Sequence, residues 1–364
     1  MPRPETALIV GASGLVGTAA ANSFIAAGWP VITCSRRRPN LVTRNVKHVE
    51  LDLLDAAACK KAVTDLDDVT HVVYAAVSEV PGLIPGWSDP SQIEANGRML
   101  ENLIEPLAQH TSLEHVTILQ GTKAYGATVQ PMRVPAREHH ARVDHPNFYW
   151  LHEDYIRRKA DQAGFGFTIF RPQLVVGPNH GVVMNLPPVI GAYAAIRHYE
   201  GLPFSFPGGA HRVWEAVDVR LVGDACRWAA TTKSAQGEIF NLTNGEVFSF
   251  RDMWPALAAV LGVTPGRDES ISLAEYLPAR AGLWSEIVAR YGLEPVSIMD
   301  LLGESHHYAD RCFAYGTTSP APPMFVSTVK IKRAGFTDVY DSEQSFCHWL
   351  GDLIARKVIP RLGT

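Results

Sequence analysis

Three glycines near the N-terminus, Gly11, Gly14 and Gly17, are spaced three residues apart. They lie between a strand-forming run and a helix-forming run. The run 7–10 predicts a buried strand, and the run 18–25 is compatible with a helix. Glycine lacks a Cβ, so a backbone that contains it can turn sharply and come close to an anion. The first N–H groups and the dipole of the helix then face that anion. We therefore expect a pyrophosphate to be bound by Gly11, Ser13, Gly14, Leu15, Val16 and Gly17.

The glycine spacing alone also fits a glycine-rich turn in an ordinary α/β protein, because it is G-x-x-G-x-x-G and not G-x-G-x-x-G. The run 29–34 predicts a second strand, which ends at Ser35, Arg36 and Arg37. At this position of a dinucleotide-binding sheet, a carboxylate binds the ribose 2′-hydroxyl of NAD, and an arginine accommodates the 2′-phosphate of NADP. A hydroxyl and arginines without a carboxylate predict NADPH, and a solvated basic turn is the alternative.

Two further strand ends are candidates for contacts with the rest of the dinucleotide. The alternating run from 46 ends at Asp52 and Leu53, where a carboxylate would lie near the adenine amino group. A turn or helix-cap role for the aspartate is the alternative. The next strand, which starts at Thr70, ends in small residues that leave room for the ribose and nicotinamide. Those residues are Ala75, Ala76 and Val77.

The carboxyl ends of the later strands should carry the reactive side chains, since ligands of such sheets bind at that edge. The fifth predicted strand, 115–120, is followed by Lys123 and Tyr125. A lysine at such a place is also commonly only solvated. The loop 78–91 contains Trp87 and is long enough to form a wall of a substrate pocket. At the ends of the fifth and sixth strands we expect cofactor contacts from Gln120, Pro172 and Val175.

The composition of the 364-residue chain predicts a globular protein with a large core, since 46% of its residues are hydrophobic and 19% are charged. A formal net charge of -4 argues against a nucleic-acid partner, and no apolar run reaches the roughly 18 residues of a membrane span. Five cysteines without C-x-x-C spacing, and histidine pairs that are adjacent, predict reduced thiols and no metal site. Because the first strand follows the N-terminus directly, we expect no signal peptide and a cytoplasmic protein.

Several short motifs, spread over nearly the whole chain, are informative when they are taken together. They are the glycine loop, Arg171-Pro172 with Gly177-Pro178, and the stretch 330–336. To these are added Ser35-Arg36-Arg37, the run 119–126 (Leu-Gln-Gly-Thr-Lys-Ala-Tyr-Gly), Asn147-Phe148-Tyr149-Trp150 followed by Glu153-Asp154, and Asn244-Gly245 before Phe248. With this pattern the chain resembles the progesterone 5β-reductase/iridoid synthase-like branch of the extended short-chain dehydrogenases/reductases.

The resemblance implies a catalytic pair of Tyr149 and Lys123, and Tyr149 would also contact the cofactor. Typical members of the superfamily use Tyr-x-x-x-Lys, but the fourth residue after Tyr149 is Glu153. A literal match, Tyr155 and Lys159, lies only 16 residues before Arg171, which is too short for the helix and strand between dyad and arginine. Tyr149 precedes Arg171 by 22 residues, and we therefore reject the literal match.

The resemblance further implies an α/β fold with a Rossmann-type doubly wound parallel sheet and a smaller, mostly C-terminal substrate-binding domain. We predict that residues 1–178 and about 213–248 bind NADP, and that about 179–212 and 249–364 bind substrate. The implied reaction is NADPH-dependent reduction of the C=C bond of a small apolar enone or enal. Water and Tyr149 remain alternatives as the source of the α-carbon proton. A carbonyl reductase, an epimerase and a non-catalytic NADP sensor are the alternative functions, and a homodimer is left open.

Overall fold

Seven parallel strands form one sheet in the computed structural model, which describes residues 5–41, 43, 46–80 and 85–363. The order across the sheet is β3-β2-β1-β4-β5-β6-β9. Its strands are β1 (Thr6–Val10), β2 (Val31–Ser35), β3 (Lys47–Glu50), β4 (Val69–Tyr74), β5 (His115–Leu119), β6 (Gly166–Pro172) and β9 (Glu238–Leu242), and a separate two-stranded sheet joins β7 (Val175–Val176) to β8 (Val217–Asp218). This order reverses between β1 and β4, as in a Rossmann-type sheet, and it confirms the predicted fold class.

Helices alternate with the strands along the chain and continue after the last strand. They are α1 (Leu15–Ala26), α2 (Ala56–Val63), α3 (Pro90–His110), α4 (Phe148–Ala163), α5 (Pro187–Tyr199), α6 (Val219–Thr231), α7 (Phe250–Leu261), α8 (Leu273–Tyr276), α9 (Ala281–Tyr291), α10 (Ile298–Leu302), α11 (Ser305–Cys312), α12 (Val329–Ala334) and α13 (Ser342–Ala355). Within the described ranges, no helix is both long enough and apolar enough to cross a membrane.

Two compact units divide the chain. The first runs to Gln173 and also contains Val219–Leu242 and Val326–Asp338; it holds the seven-stranded sheet. The second contains Leu174–Asp218, Thr243–Phe325 and the chain from Val339 on.

The observed boundaries differ from the predicted ones in both directions. Residues 174–178, 213–218 and 243–248 belong to the second unit, and β7 pairs with β8 there and not with the large sheet. Residues 326–338 return to the first unit, where Lys330 forms an ion pair of 2.6 Å with Glu238 and donates a hydrogen bond to the Ile239 carbonyl. The predicted roles of the two parts, NADP binding and substrate binding, stay predictions.

The core of the first unit follows from the alternation of its strands. Leu8, Val10, Val72 and Ile118 belong to one buried apolar cluster with residues of α2, α3 and α4. The opposite face carries α1 and α6, which pack on each other; Gly223 of α6 is so close to α1 that a Cβ would lie 2.7 Å from the Ala19 carbonyl oxygen. Burial of both faces explains why the strands are apolar runs.

The second unit is mostly helical, and aromatic side chains fill its centre. Phe204 stacks on Trp254 with ring centroids 4.4 Å apart, and Phe313 packs edge-on against Phe250 at 4.9 Å. Ser249 caps α7 by accepting a hydrogen bond from the Asp252 N–H.

Candidate active site

The glycine loop lies between β1 and α1, and two of its glycines are required by close backbone contacts. Gly11 has φ +76, and a Cβ there would lie 2.6 Å from the backbone nitrogen of Ala76 after β4. A Cβ on Gly17, in the first turn of α1, would lie only 2.2 Å from the Gly11 carbonyl oxygen. Contacts below about 3 Å force the backbone apart, so the loop geometry depends on glycine at both positions.

The loop presents the N-terminus of α1 to an anion. Gly14 is the N-cap residue and supplies no side-chain acceptor for the first helical N–H groups. Ser13, Leu15 and Val16 are partly exposed, so this end of the helix is accessible. An accessible helix N-terminus without a capping side chain is the donor set that a pyrophosphate needs, and the residues therefore fit a dinucleotide.

The basic residues after β2 are available for a phosphate. Arg36 and Arg37 are exposed, whereas Ser35 is buried and its hydroxyl donates a 2.6 Å hydrogen bond to the Arg37 carbonyl. Since β2 neighbours β1 in parallel register, the end of β2 lies beside the start of the glycine loop. The structure therefore brings the arginines and the loop to the same edge of the sheet.

Asp52 and Leu53 follow the short strand β3, which ends already at Glu50. The Asp52 carboxylate is exposed and accepts a hydrogen bond from the Leu54 N–H, and Leu53 is buried in the core. The neighbouring Asp55 caps α2 by accepting a hydrogen bond from the Ala58 N–H. The cap role therefore belongs to Asp55, and a contact between Asp52 and adenine stays a prediction.

Ala75, Ala76 and Val77 extend β4 past its last strand residue, toward the same edge. Ala75 donates its N–H to the Val10 carbonyl, and Ala76 lies against Gly11. Their small side chains thus permit the close approach of this segment to the glycine loop.

Lys123 lies in a 3-10 helix, Thr122–Tyr125, directly after β5. Its ammonium group is surrounded by aromatic rings: Nζ is 4.6 Å from the ring centroid of Trp87, 5.5 Å from that of Tyr149 and 6.0 Å from that of Phe148. Ring faces attract a cation but replace only part of its hydration. Burial therefore lowers the pKa of Lys123 to about 8, and the charge of Glu79 opposes part of this decrease.

Tyr149 is positioned by the first turn of α4. Asn147 caps this helix and accepts a hydrogen bond from the Tyr149 N–H. A Cβ on Gly121 would lie 3.3 Å from the Tyr149 hydroxyl oxygen and 3.5 Å from the Pro172 carbonyl, so the hydroxyl lies over the ends of β5 and β6. Burial and the charge of Glu79 raise the pKa of Tyr149, and Arg171 partly opposes them. The phenol stays protonated at neutral pH and can donate a hydrogen bond.

A buried polar network, which was not predicted from the sequence, holds the backbone of Tyr149. Gln120 donates hydrogen bonds to the Tyr149 carbonyl at 3.2 Å and to Glu153 at 3.3 Å, and it accepts one from Arg171 at 2.8 Å. Arg171 and Glu153 also form an ion pair of 3.3 Å. The side-chain amide of Gln120 is thus occupied by protein groups, and its predicted contact with a cofactor stays a prediction.

Glu153 occupies the fourth position after Tyr149, where typical members of the superfamily carry lysine. Burial alone would raise the pKa of Glu153, but the hydrogen bond and charge of Arg142, together with Arg171 and Arg157, hold it below its usual range. The carboxylate is therefore charged and paired. The sequence signalled this group only through Glu153 and Arg157, four residues apart on α4, because Arg142 and Arg171 come from other parts of the chain.

The rejected pair, Tyr155 and Lys159, lies further along α4 and faces α3. Both side chains bind one carboxylate there: the Tyr155 hydroxyl donates to Glu105 at 3.2 Å, and Lys159 Nζ lies 2.7 Å from Glu105. Tyr155 belongs to the apolar core cluster between helices and sheet. This arrangement ties two helices together.

The predicted site residues thus divide into groups. The glycine loop, the arginines, the small residues after β4, and Lys123 with Tyr149 all follow carboxyl ends of strands in the first unit. Tyr125 has another role, because its hydroxyl donates a 2.6 Å hydrogen bond to Asn241. Pro172 ends β6, and Val175 lies in the second unit, where β7 pairs with β8.

Comparisons with known proteins extend these observations. The model of the NAD dependent epimerase/dehydratase family matches residues 7–243. An (S)-8-oxocitronellyl enol synthase from Camptotheca acuminata is 28% identical over 380 residues, covering 97% of this chain and 93% of the relative. A 3-oxo-Delta(4,5)-steroid 5-beta-reductase from Arabidopsis thaliana is 29% identical over 380 residues, with 98% and 93% covered.

Solved structures of other proteins share the fold of this chain. A UDP-glucose 4-epimerase from Bifidobacterium longum, in complex with NAD+ and UDP, is similar with a TM-score of 0.66 at 13% identity, over 97% of this chain and 99% of that chain. These matches confirm the predicted resemblance to the extended short-chain dehydrogenases/reductases. The chain belongs to the NAD dependent epimerase/dehydratase family.

Proposed function

We propose that this protein is an NADPH-dependent reductase of the C=C bond of α,β-unsaturated carbonyl compounds, with Tyr149 and Lys123 as its catalytic residues. The observation that carries the proposal is their juxtaposition: the Tyr149 hydroxyl lies over Gly121, and the Lys123 ammonium lies 5.5 Å from the Tyr149 ring centroid. A phenol and a cation at the carboxyl edge of the sheet are a donor and a charge for an oxygen that becomes negative.

The names of the curated relatives support the same chemistry. One is a 5-beta-reductase of a 3-oxo-Delta(4,5)-steroid, and the other is an enol synthase. Both cover more than nine tenths of this chain and of the relative, so the comparison spans both units. They support an oxidoreductase, and the finer assignment to an enone substrate is our proposal.

The residues of the first unit would hold the cofactor at three places. The N–H groups from Ser13 to Gly17 would bind the pyrophosphate, and Arg36 with Arg37 would bind the 2′-phosphate. The small residues Ala75 and Ala76 would leave room for the ribose next to the nicotinamide. When bound, NADPH supplies the hydride that the substrate accepts at its β-carbon.

Tyr149 and Lys123 act on the substrate oxygen. As the β-carbon accepts the hydride, negative charge develops on the carbonyl oxygen, and the protonated Tyr149 hydroxyl would donate a hydrogen bond to it. Among the described residues, the Tyr149 hydroxyl donates no hydrogen bond within the protein, so it is available for a substrate. The positive charge of Lys123 against the Tyr149 ring would stabilise the same oxygen further.

The proposal is tested by NADPH oxidation with 2-cyclohexen-1-one and with cyclohexanone. We expect oxidation with the enone and none with the saturated ketone. Oxidation with cyclohexanone alone would indicate a carbonyl reductase, and NADPH binding without oxidation by either compound would indicate a sensor. Both of these results would contradict the proposal.

The preference for NADPH is tested separately by Arg36→Ala combined with Arg37→Ala. Loss of the forked donors should weaken NADPH binding at least tenfold and leave NADH binding nearly unchanged, measured by fluorescence titration. Lys60→Ala combined with Lys61→Ala, on the exposed side of α2, removes the same charge elsewhere and serves as the control. Equal losses for the two cofactors would show that the arginines do not contact the 2′-phosphate.

A further inference from the structure

The chain that leaves β4 is tied to α3 by two buried amide side chains. Asn96 accepts a hydrogen bond from the Ser78 N–H and donates one to the Ser78 carbonyl, both at 2.8 Å. Gln92 accepts a hydrogen bond from the Val80 N–H at 2.7 Å. Because both amides are buried, α3 determines the path of the chain after β4.

Trp87 lies where the loop 78–91 returns to α3, in the 3-10 helix Pro85–Ser88. The next residue but one, Asp89, caps α3 with its carboxylate, and its own N–H donates to the Gly86 carbonyl at 3.1 Å. A Cβ on Gly86 would lie 2.6 Å from Val80 Cγ2, so glycine leaves room for the side chain at the other end of the loop. The start of α3 therefore fixes the backbone that carries Trp87.

The indole of Trp87 is the closest of the three rings that surround the Lys123 ammonium. Nζ lies 4.6 Å from its centroid, compared with 5.5 Å for Tyr149 and 6.0 Å for Phe148. Within the part of the chain that the structure describes, Nζ forms no hydrogen bond or ion pair. Since lysine carries its charge on a flexible stem, the rings set where that charge lies.

The rings come from two helices that meet beside Lys123. Phe148 and Tyr149 begin α4 and form a buried cluster with Ala124, and Ile93 of α3 packs against this cluster. Trp87 is the ring that the start of α3 contributes. The position of the lysine charge thus depends on α3 as well as on the helix that carries Tyr149.

We propose that Trp87 is a positioning residue for the reduction, and that the face of its indole holds the Lys123 ammonium beside Tyr149. This inference rests on the proposed function, and it gives the loop a role beyond that of a pocket wall. Indole attracts a cation more strongly than the other aromatic side chains do, and most where water is excluded. A carboxylate in its place would neutralise the charge that the substrate oxygen needs, whereas a ring holds the cation without neutralising it.

The inference is tested with tryptophans that carry increasing numbers of fluorine atoms on the indole, introduced at position 87 alone. Fluorine withdraws electron density from the ring face and changes the size of the ring little. We expect the single-turnover rate of NADPH oxidation by saturating 2-cyclohexen-1-one to fall with each fluorine, by about 5- to 30-fold for the most fluorinated ring. NADPH binding, measured by fluorescence titration, should not change. A rate that is insensitive to fluorine would overturn the inference, because a ring that only packs does not respond to its electron density.

Trp150 supplies the matched control. It is also partly buried, and its ring centroid lies 4.9 Å from the guanidinium carbon of Arg142, so it too faces a cation. The same fluorinated tryptophans at position 150 should leave the rate unchanged. An equal loss at both positions would overturn the inference, since it would not act through Lys123.

Conventional variants test the same point. Trp87→Leu keeps an apolar side chain without a ring face and should lose about as much rate as the most fluorinated tryptophan. Trp87→Phe should recover part of that loss, because phenyl attracts a cation more weakly than indole. A Trp87→Leu variant with the wild-type rate would overturn the inference.

A second measurement needs neither cofactor nor turnover, and it separates this inference from the proposed function. Ring faces shift the NMR signals of nearby Hε protons upfield, and the Lys123 signal in protein labelled with 13C-lysine is the one that Lys123→Met removes. We expect this signal to move toward those of exposed lysines in Trp87→Leu, and an unchanged signal would overturn the inference. Absence of enone-dependent NADPH oxidation in wild type would overturn the proposed function, and the NMR signal would still decide whether Trp87 places the lysine.

Discussion

The two halves of α4 each carry a tyrosine with a lysine and a glutamate nearby, and they differ in how these groups are satisfied. In the second half, Tyr155 and Lys159 both bind Glu105 of α3. In the first half, the Lys123 ammonium lies among aromatic rings, and Glu79 has a buried oxygen without a partner in the described residues. The same three residue types therefore form a helix-to-helix contact in one place and a candidate active site in the other.

The difference shows that the Tyr-x-x-x-Lys spacing alone would select the wrong tyrosine and lysine as the catalytic candidates. Tyr155 and Lys159 fit Tyr-x-x-x-Lys along one helix, but their charges and hydroxyl are already paired. Tyr149 and Lys123 lie on different elements and meet only after β5 and α4 pack together. Polar groups that a fold leaves unsatisfied are costly, and such groups tend to be retained where they act on a ligand.

The largest expected effect is a loss of folding stability when the polar network under the first half of α4 loses Glu153. Glu153→Gln leaves the buried guanidinium of Arg171 without its charge partner, and the side chains are only 6% and 4% exposed. Loss of one partner of a buried ion pair costs about 3–5 kcal/mol of folding free energy. Urea denaturation of this variant and of the exposed control Glu94→Gln measures the difference. A loss below about 1 kcal/mol would show that the network does not support the helix.

A smaller effect is expected when pH changes the rate of enone reduction. This effect should depend on Lys123, beside the first half of α4, and not on Lys159 in the second half. The pKa of Lys123 is lowered from 10.5 to about 8, so its ammonium loses the proton as pH rises through that value. Enone reduction should then fall about tenfold per pH unit above about 8, since the charged form is the one that stabilises the oxygen. Lys123→Met should remove this dependence, whereas Lys159→Met should leave it in place. A rate that stays constant to pH 10 would contradict the role of Lys123.

The smallest effect is expected in the second half of α4, where Glu105 binds Tyr155 and Lys159. Glu105→Gln removes an ion pair whose glutamate side chain is 45% exposed, and a partly exposed pair contributes about 1 kcal/mol or less. We expect a slight loss of folding stability and unchanged enone reduction. A large loss of turnover would mean that this contact, and not only the first half, belongs to the site.

Part of the site could be predicted because single residues carry the signal. Gly11 and Gly17 are required by backbone contacts below 3 Å, and such a requirement is visible as glycine in the sequence. A parallel sheet follows from strands that alternate with helices. Lys123 was predicted from its place after the fifth strand, but its pairing with Tyr149 came from the resemblance to a family, because 26 residues separate them in the chain.

Other features depend on packing that no short stretch of sequence contains. The Gln120–Glu153–Arg171 network needs three elements in register, and the buried oxygen of Glu79 depends on the position of α3. The segment 326–338 packs in the first unit against residues far away in the chain, where Lys330 pairs with Glu238. Strand β3 ends at Glu50, so Asp52, the predicted strand end, lies outside the observed strand.

The central claim is that Tyr149, and not Tyr155, acts in the reaction, and turnover of 2-cyclohexen-1-one by the two phenylalanine variants tests it directly. We expect Tyr149→Phe to bind NADPH normally and to lose about 2–4 kcal/mol of transition-state stabilisation, roughly 30- to 1,000-fold in rate. Tyr155→Phe, the same change on the same helix, should turn over at nearly the wild-type rate. Full activity in Tyr149→Phe, or a comparable loss in Tyr155→Phe, would contradict the account.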